Sequence, residues 1–152
     1  MIEQIGDIWK AQKENDWICI TTNGNIKKDG RLVMGKGIAL EAATKFPTLP
    51  YFLAEKVKSH GNLPFMFNEF NLISFPTKNN WWEDSDPKLI ENSCLLIAKM
   101  EDRFAFSSSR ILIPRPGCNN GNLSYMKVVR PILIKAFSHY EPEDKFIIFS
   151  KN

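Results

Sequence analysis

Short apolar runs mark the strands of this chain. Trp17-Ile18-Cys19-Ile20-Thr21-Thr22 and Phe146-Ile147-Ile148-Phe149 read as buried strands, and Ile111-Leu112-Ile113 is apolar throughout, the pattern of a strand covered on both faces. Phe65 to Phe67 and Phe70 to Phe75 predict two more strands, the second closed by Pro76, and residues 1–8 suggest a short edge strand ending at Gly6-Asp7. Elsewhere the spacing turns helical. Ile38, Ala39, Ala42, Ala43 and Phe46 predict a helix from about Gly35 to Phe46-Pro47, since proline disfavours helix at the residue before it. Thr48 is placed to cap a second helix ending at His60-Gly61. Asp86-Pro87 opens a third, whose apolar face (Ile90, Cys94, Ile97, Ala98) runs to about Met100. Ser124 can cap a fourth, with Val128, Val129, Ile132 and Ala136 on one side; Pro131 inside it should kink or restart it.

The resulting order, β-β-α-α-β-β-α-β-α-β, implies an α/β fold: a mixed sheet with helices on both faces. In such sheets ligands gather outside the carboxyl ends of the strands. Three polar segments fall at such ends here, 23–37, 76–79 and 114–123.

Two of them have the composition of anion cradles. Asn23-Gly24 is followed by Val33-Met34-Gly35-Lys36-Gly37-Ile38-Ala39, a glycine-flanked turn entering a helix. A helix amino terminus carries unpaired N–H groups and a positive dipole end, which suit phosphate, and the Asn23 amide could orient an attached sugar. The glycines are equally compatible with a plain turn, and Asn23 with an Asn-Gly turn residue. The second segment, Ile113-Pro114-Arg115-Pro116-Gly117-Cys118-Asn119-Asn120-Gly121-Asn122-Leu123, also runs from a strand into a helix. Its glycines allow backbone to approach an anion closely, although a flexible connector has a similar composition.

Composition narrows the function classes. The 152 residues suit one domain, 1–152, and a 43% hydrophobic, 24% charged content is that of an ordinary globular protein. A net charge of +3, with Lys27-Lys28 the only adjacent basic pair, gives no argument for nucleic-acid binding. Cys19 and Cys94 lie in apolar runs, Cys118 lies in a loop, and neither these nor His60 and His139 form a cluster with metal-ligand spacing; no metal and no cofactor is expected. No signal h-region or apolar run near 18 residues occurs, so no membrane association is expected and a cytoplasmic location is the default. The Lys/Asn/Ile/Phe-rich composition is compatible with an AT-rich genome, including a viral one, in which case the location is the host cytoplasm.

Taken together, these motifs resemble those of the macrodomains, the ADP-ribose-binding fold, over nearly the whole chain. The likeness is greatest to the branch containing terminal ADP-ribose glycohydrolases and DNA-ADP-ribose antitoxins. Gly6-Asp7-Ile8 resembles the opening motif, Asn23 with Met34 to Ala39 and Lys45-Phe46-Pro47 the first ligand loop, and Phe75-Pro76-Thr77-Lys78 with Trp81 a branch-specific element. Pro114-Arg115-Pro116-Gly117-Cys118, Gly121, Leu123 and Val129-Arg130-Pro131 resemble the second ligand loop and its helix. The resemblance implies a three-layer α/β/α fold around a central mixed sheet, and ADP-ribose or an ADP-ribosylated DNA or protein as partner.

It also implies roles for individual residues. Asp7 would accept from the adenine amino group with Ile8 beside it, and Asn23 would bond the distal ribose. Met34, Gly35, Lys36, Gly37 and Ile38 would line the diphosphate and distal ribose, beside Thr77. Pro114, Arg115, Gly117, Cys118, Asn119, Asn120, Gly121, Asn122 and Leu123 would wrap the other side. Lys78 would attack the anomeric carbon, which requires an unprotonated amine, with Lys36 and Arg115 as candidate cationic neighbours, or would serve as an electrostatic stabiliser. Read without the resemblance, Asp7 is a turn or cap residue and Lys78 a solvent-facing lysine at a strand end.

One departure stands out. Terminal glycohydrolases pair the lysine with an aspartate in the second loop, where this chain has Gly121, as the DNA-directed antitoxins do. The first loop is also longer, Asn25 to Leu32, and Asp29 in it could supply a carboxylate. Trp81-Trp82 could stack on a base or form a lid or core pair. The expected activity is hydrolysis of ADP-ribose conjugates; a phosphatase acting on ADP-ribose 1″-phosphate, a non-catalytic reader and a general single-strand binder are the alternatives.

Overall fold

The computed structural model describes residues 1–104 and 109–151. Strand β1 (Ile2–Ile5) leads into a short helix α1 (Ile8–Ala11), followed by β2 (Trp17–Thr22), α2 (Gly37–Lys45), α3 (Leu49–His60), β3 (Met66–Phe67), β4 (Leu72–Pro76), α4 (Pro87–Phe104), β5 (Ile111–Pro114), α5 (Arg130–Phe137) and β6 (Phe146–Ser150). One six-stranded sheet in the order β1-β6-β5-β2-β4-β3 organises the molecule. Its neighbours are parallel except for β3 against β4, so the sheet is mixed, as expected.

The apolar runs are buried on both sides, with side chains alternating between faces. Cys19, Ile73, Phe75, Ile111, Ile113, Phe146 and Ile148 meet Ile90, Cys94 and Ile97 of α4 and Leu133 and Phe137 of α5. Ile18, Ile20, Leu72, Leu112, Ile147 and Phe149 face the other way, against Ala39 and Ala42 of α2 and Leu49 and Leu53 of α3. The result is a helix–sheet–helix sandwich in three layers.

Several boundaries differ from expectation. The opening strand ends at Ile5, just before Gly6-Asp7, and Asp7 caps α1, accepting from the N–H groups of Trp9 (2.9 Å) and Lys10 (3.3 Å). Helix α2 starts at Gly37, not Gly35. Thr48 stands at the N-cap of α3 but makes no side-chain capping bond; Pro50 occupies its first turn instead. Helix α4 extends past Met100 to Phe104. Ser124 does cap a helical segment, accepting from the N–H of Lys127, but residues Tyr125–Val129 form a π-helical turn before α5 restarts at Arg130-Pro131.

Strands β1, β6, β5, β2 and β4 run the same way, so their carboxyl ends share one edge of the sheet. The segments after Ile5, Thr22, Pro76, Pro114 and Ser150 therefore start side by side.

Candidate functional site

The loop after β2 is held open by its own first residue. Asn23 accepts from the Asn25 N–H through Oδ1 (3.0 Å) and donates from Nδ2 to the Val33 carbonyl (3.1 Å), stapling both ends of the loop. One amide proton and one lone pair remain for a ligand. Between the staples the chain closes on itself: Ile26 pairs with Leu32, and the Lys27 N–H donates to the Arg31 carbonyl at 2.7 Å. Asp29 is exposed and engaged by Arg31 (Nε 2.9 Å, Nη2 2.7 Å), so it supplies no carboxylate to the site. The loop then reaches Gly37, whose φ of 57° favours glycine, and α2 begins.

The second loop lies directly opposite. A Cβ on Gly37 would sit 3.2 Å from Nδ2 of Asn120, so the two glycine segments are in near contact. Gly117 (φ 75°) turns the loop, and the Leu123 N–H closes it on the Gly117 carbonyl at 2.9 Å. Among the described residues the N–H groups of Asn119, Asn120 and Gly121 donate to no backbone carbonyl, which leaves donors for an anion. Gly121 has no room for a side chain: a Cβ there would lie 2.1 Å from Ser85 Oγ and 2.6 Å from the Gly117 carbonyl oxygen.

Lys78 follows the last residues of β4 into this space. Its Nζ donates to the carbonyls of Glu83 (3.2 Å) and Asn120 (3.3 Å), and its own carbonyl accepts from Asn62 Nδ2 at 3.1 Å. Residues 79–86 then form a strap fastened to both loops. Asn25 bonds Asn80 Oδ1 (3.0 Å) and the Trp81 N–H (2.7 Å) on one side. The Ser85 N–H donates to the Gly121 carbonyl (3.0 Å), and Asn122 Nδ2 to Asp84 Oδ1 (2.9 Å), on the other. Trp81 and Trp82 pack edge to face with centroids 5.8 Å apart, yet both are exposed, so they are not a core pair.

These elements enclose a cavity of about 640 Å³, a volume suited to a dinucleotide-sized ligand. Ile8, Asn23, Met34, Gly35, Lys36, Gly37, Ile38, Thr77, Lys78, Pro114, Arg115, Gly117, Cys118, Asn119, Asn120, Gly121 and Leu123 line it. Asp7 and Asn122 do not: Asp7 is turned to its helix-capping contacts, and Asn122 to Asp84. Trp81 lines the cavity and Trp82 does not.

Charge at the wall favours an anion. Lys36, Lys78, Arg115 and Lys151 face one carboxylate, Glu41, which already accepts from Lys151 (3.5 Å) and from Trp9 Nε1 (3.3 Å). The Arg115 guanidinium stacks 3.9 Å over the Tyr125 ring. Burial and the Glu3 carboxylate push the Tyr125 hydroxyl well above its usual range, so it stays a donor, bonded to Glu3 at 2.5 Å. Burial likewise holds Cys118 as a thiol, pushed up to about 11 against the opposing pull of Arg115.

Sequence reasoning passed over Tyr125, Ser85, and the Phe149-Ser150-Lys151 wall at the end of β6. The last was within reach, because β6 ends at the same edge as the loops. Ser85 carried no local signal. Among the described residues no group of three or more His, Cys, Asp or Glu side chains could hold a metal ion, and no helix is long and apolar enough to cross a membrane.

No family model and no curated protein matches the sequence. Solved structures do match the fold. The macrodomain of Mycobacterium tuberculosis DarG aligns over 99% of both chains at 24% identity and a TM-score of 0.75, and that of Thermus aquaticus DarG over 99% of this chain and 97% of its own at 22% and 0.76. Thermosipho africanus DarTG, solved in complex with ADP-ribose, aligns over 97% of this chain at 21% identity and 0.75, and this chain spans 41% of its length. The chain has the macrodomain fold.

Proposed function

We propose that this protein binds ADP-ribose in the cavity between its two glycine loops and hydrolyses ADP-ribose conjugates of nucleic acid or protein. The observation that carries the reading is the meeting of three segments at one point: Gly37 adjoins Asn120, and Asn120 accepts from Lys78. The ADP-ribose held by the similarly folded Thermosipho africanus protein supports the choice of ligand. The uncommitted N–H groups of the second loop and the amino end of α2 would take the diphosphate, with Asn23 orienting the distal ribose. Lys78, as a free amine, would attack the anomeric carbon of that ribose. The bond from this carbon to the modified group breaks, its electron pair leaves with the group, and the group takes up a proton. Water then cleaves the lysyl adduct and returns the amine and free ADP-ribose.

Incubation with ADP-ribosylated DNA and with ADP-ribosylated protein tests this, and release of ADP-ribose from either is the expected outcome. Tight ADP-ribose binding without turnover would instead establish a reader, the alternative favoured by the absence of any side chain at Gly121. Phosphate release from ADP-ribose 1″-phosphate that survives Lys78→Ala would favour the phosphatase.

A further inference from the structure

Ser85 is 5% exposed, it borders the cavity, and its Oγ has no hydrogen-bond partner among the described residues. Burying a hydroxyl without a partner costs stability, and native folds rarely retain one without a use for it. The neighbours of this one are specific. Oγ lies 2.1 Å from where a Gly121 Cβ would be, and Ser85 Cβ lies 2.9 Å from where a Gly117 Cβ would be. The side chain is thus wedged behind both glycines of the second loop, while its backbone N–H holds the Gly121 carbonyl.

We propose that the Ser85 hydroxyl is a ligand-binding donor kept for an anionic oxygen of a diphosphate, and that glycine at 121, where a Cβ would collide with Oγ as well as with the Gly117 carbonyl, keeps that hydroxyl in place. The proposal rests on the ADP-ribose reading above. A hydroxyl can rotate its single proton towards whichever acceptor arrives. The anionic acceptors the ligand would bring to the second loop are its phosphate oxygens. Phosphate bound to the neighbouring N–H groups would draw the loop outward at Gly121 and so open the path to Oγ. The free protein holds an unsatisfied donor and the complex satisfies it, so part of the binding energy comes from repairing a defect of the empty site.

This predicts opposite effects of one substitution on two measurements. Calorimetric titration of ADP-ribose into wild type and Ser85→Ala should show about tenfold weaker binding by the variant, the size of one charge-assisted hydrogen bond. Thermal unfolding of the two ligand-free proteins should show the variant melting at or above wild type, because an unpartnered buried hydroxyl has been removed. Equal affinity in the two proteins would overturn the proposal while leaving the ADP-ribose reading intact. Weaker binding joined to a lower melting temperature would also overturn it, since the hydroxyl would then be supporting the free fold. No uptake of ADP-ribose by wild type would remove the reading underneath and the proposal with it.

Discussion

Lys78 Nζ lies 3.3 Å from the carbonyl oxygen of Asn120, so the candidate nucleophile is tied to the candidate phosphate loop by a direct hydrogen bond. With the Glu83 carbonyl as a second acceptor, two of the three positions around the nitrogen are fixed and one remains. Loading the loop with phosphate would therefore also position the amine. Lys78→Ala should abolish release of ADP-ribose from a conjugate while leaving ADP-ribose affinity within a few-fold, because in the proposed reading the diphosphate would be held mainly by backbone. Lys78→Arg separates chemistry from charge. It keeps a cation that can reach the same carbonyls but cannot lose its proton to become a nucleophile. Single-turnover assays should find Arg as inactive as Ala; substantial activity in the Arg variant would reassign Lys78 to electrostatic stabilisation.

Gly121 offers a test of the missing acidic partner. Adding a carboxylate with Gly121→Asp should not create or improve turnover, because its Cβ would fall 2.1 Å from Ser85 Oγ, displacing that hydroxyl, and 2.6 Å from the Gly117 carbonyl oxygen. Even Gly121→Ala should cost about 1–3 kcal/mol in urea unfolding, the usual scale for overpacking. A Gly121→Asp protein as stable as wild type and faster on conjugates would show that the loop is far more yielding than its packing implies.

Strands were legible because each apolar run needs covering on both faces, and Cys19 and Ile20 duly face opposite layers. Asp86-Pro87 and Ser124 were legible because capping is chemistry within a few residues of chain. Helix α1 was not, since four residues are too few to show a period. The last turn of α4 lies beyond the apolar stripe, and Glu101 there is held by an ion pair to the distant Lys145 at 3.2 Å. The site divides the same way. Glycine loops announce themselves locally, whereas Ser85 matters through its contact with Gly121, and Tyr125 through Arg115 and Glu3.

Cys118 gives a probe of occupancy. Burial pushes its thiol up to about 11, so little thiolate exists near neutrality. Alkylation by iodoacetamide should be slow at pH 7 and accelerate about tenfold per pH unit towards that value. Saturating ADP-ribose should suppress it further, because Cys118 lines the cavity. Cys19 and Cys94 are fully buried, with burial raising both thiols, and should label only on unfolding. Peptide mass spectrometry reads all three sites; fast labelling of Cys118 at neutral pH, unaffected by ligand, would place it outside the site.

Two carboxylates that bind chain ends and loops together should set the fold's acid limit. Asp16 is buried; burial acts to raise its pKa, but the Arg110 guanidinium and the N–H groups of Lys13 and Arg110 outweigh that and hold it below the usual carboxylate range. Glu3 is held low by bonds from Arg130 and Tyr125, burial opposing. A carboxylate whose folded pKa is depressed stabilises the fold above its unfolded pKa and loses that contribution as pH falls through the folded value. Stability to urea should therefore be flat from neutrality down to about pH 5 and fall below about 4, where unfolded carboxylates take up protons first. Asp16→Ala should cost about 3 kcal/mol at pH 7, because it leaves the largely buried Arg110 guanidinium without its carboxylate partner, and should flatten the acid slope. A variant that keeps the wild-type slope would mean that other carboxylates govern acid unfolding.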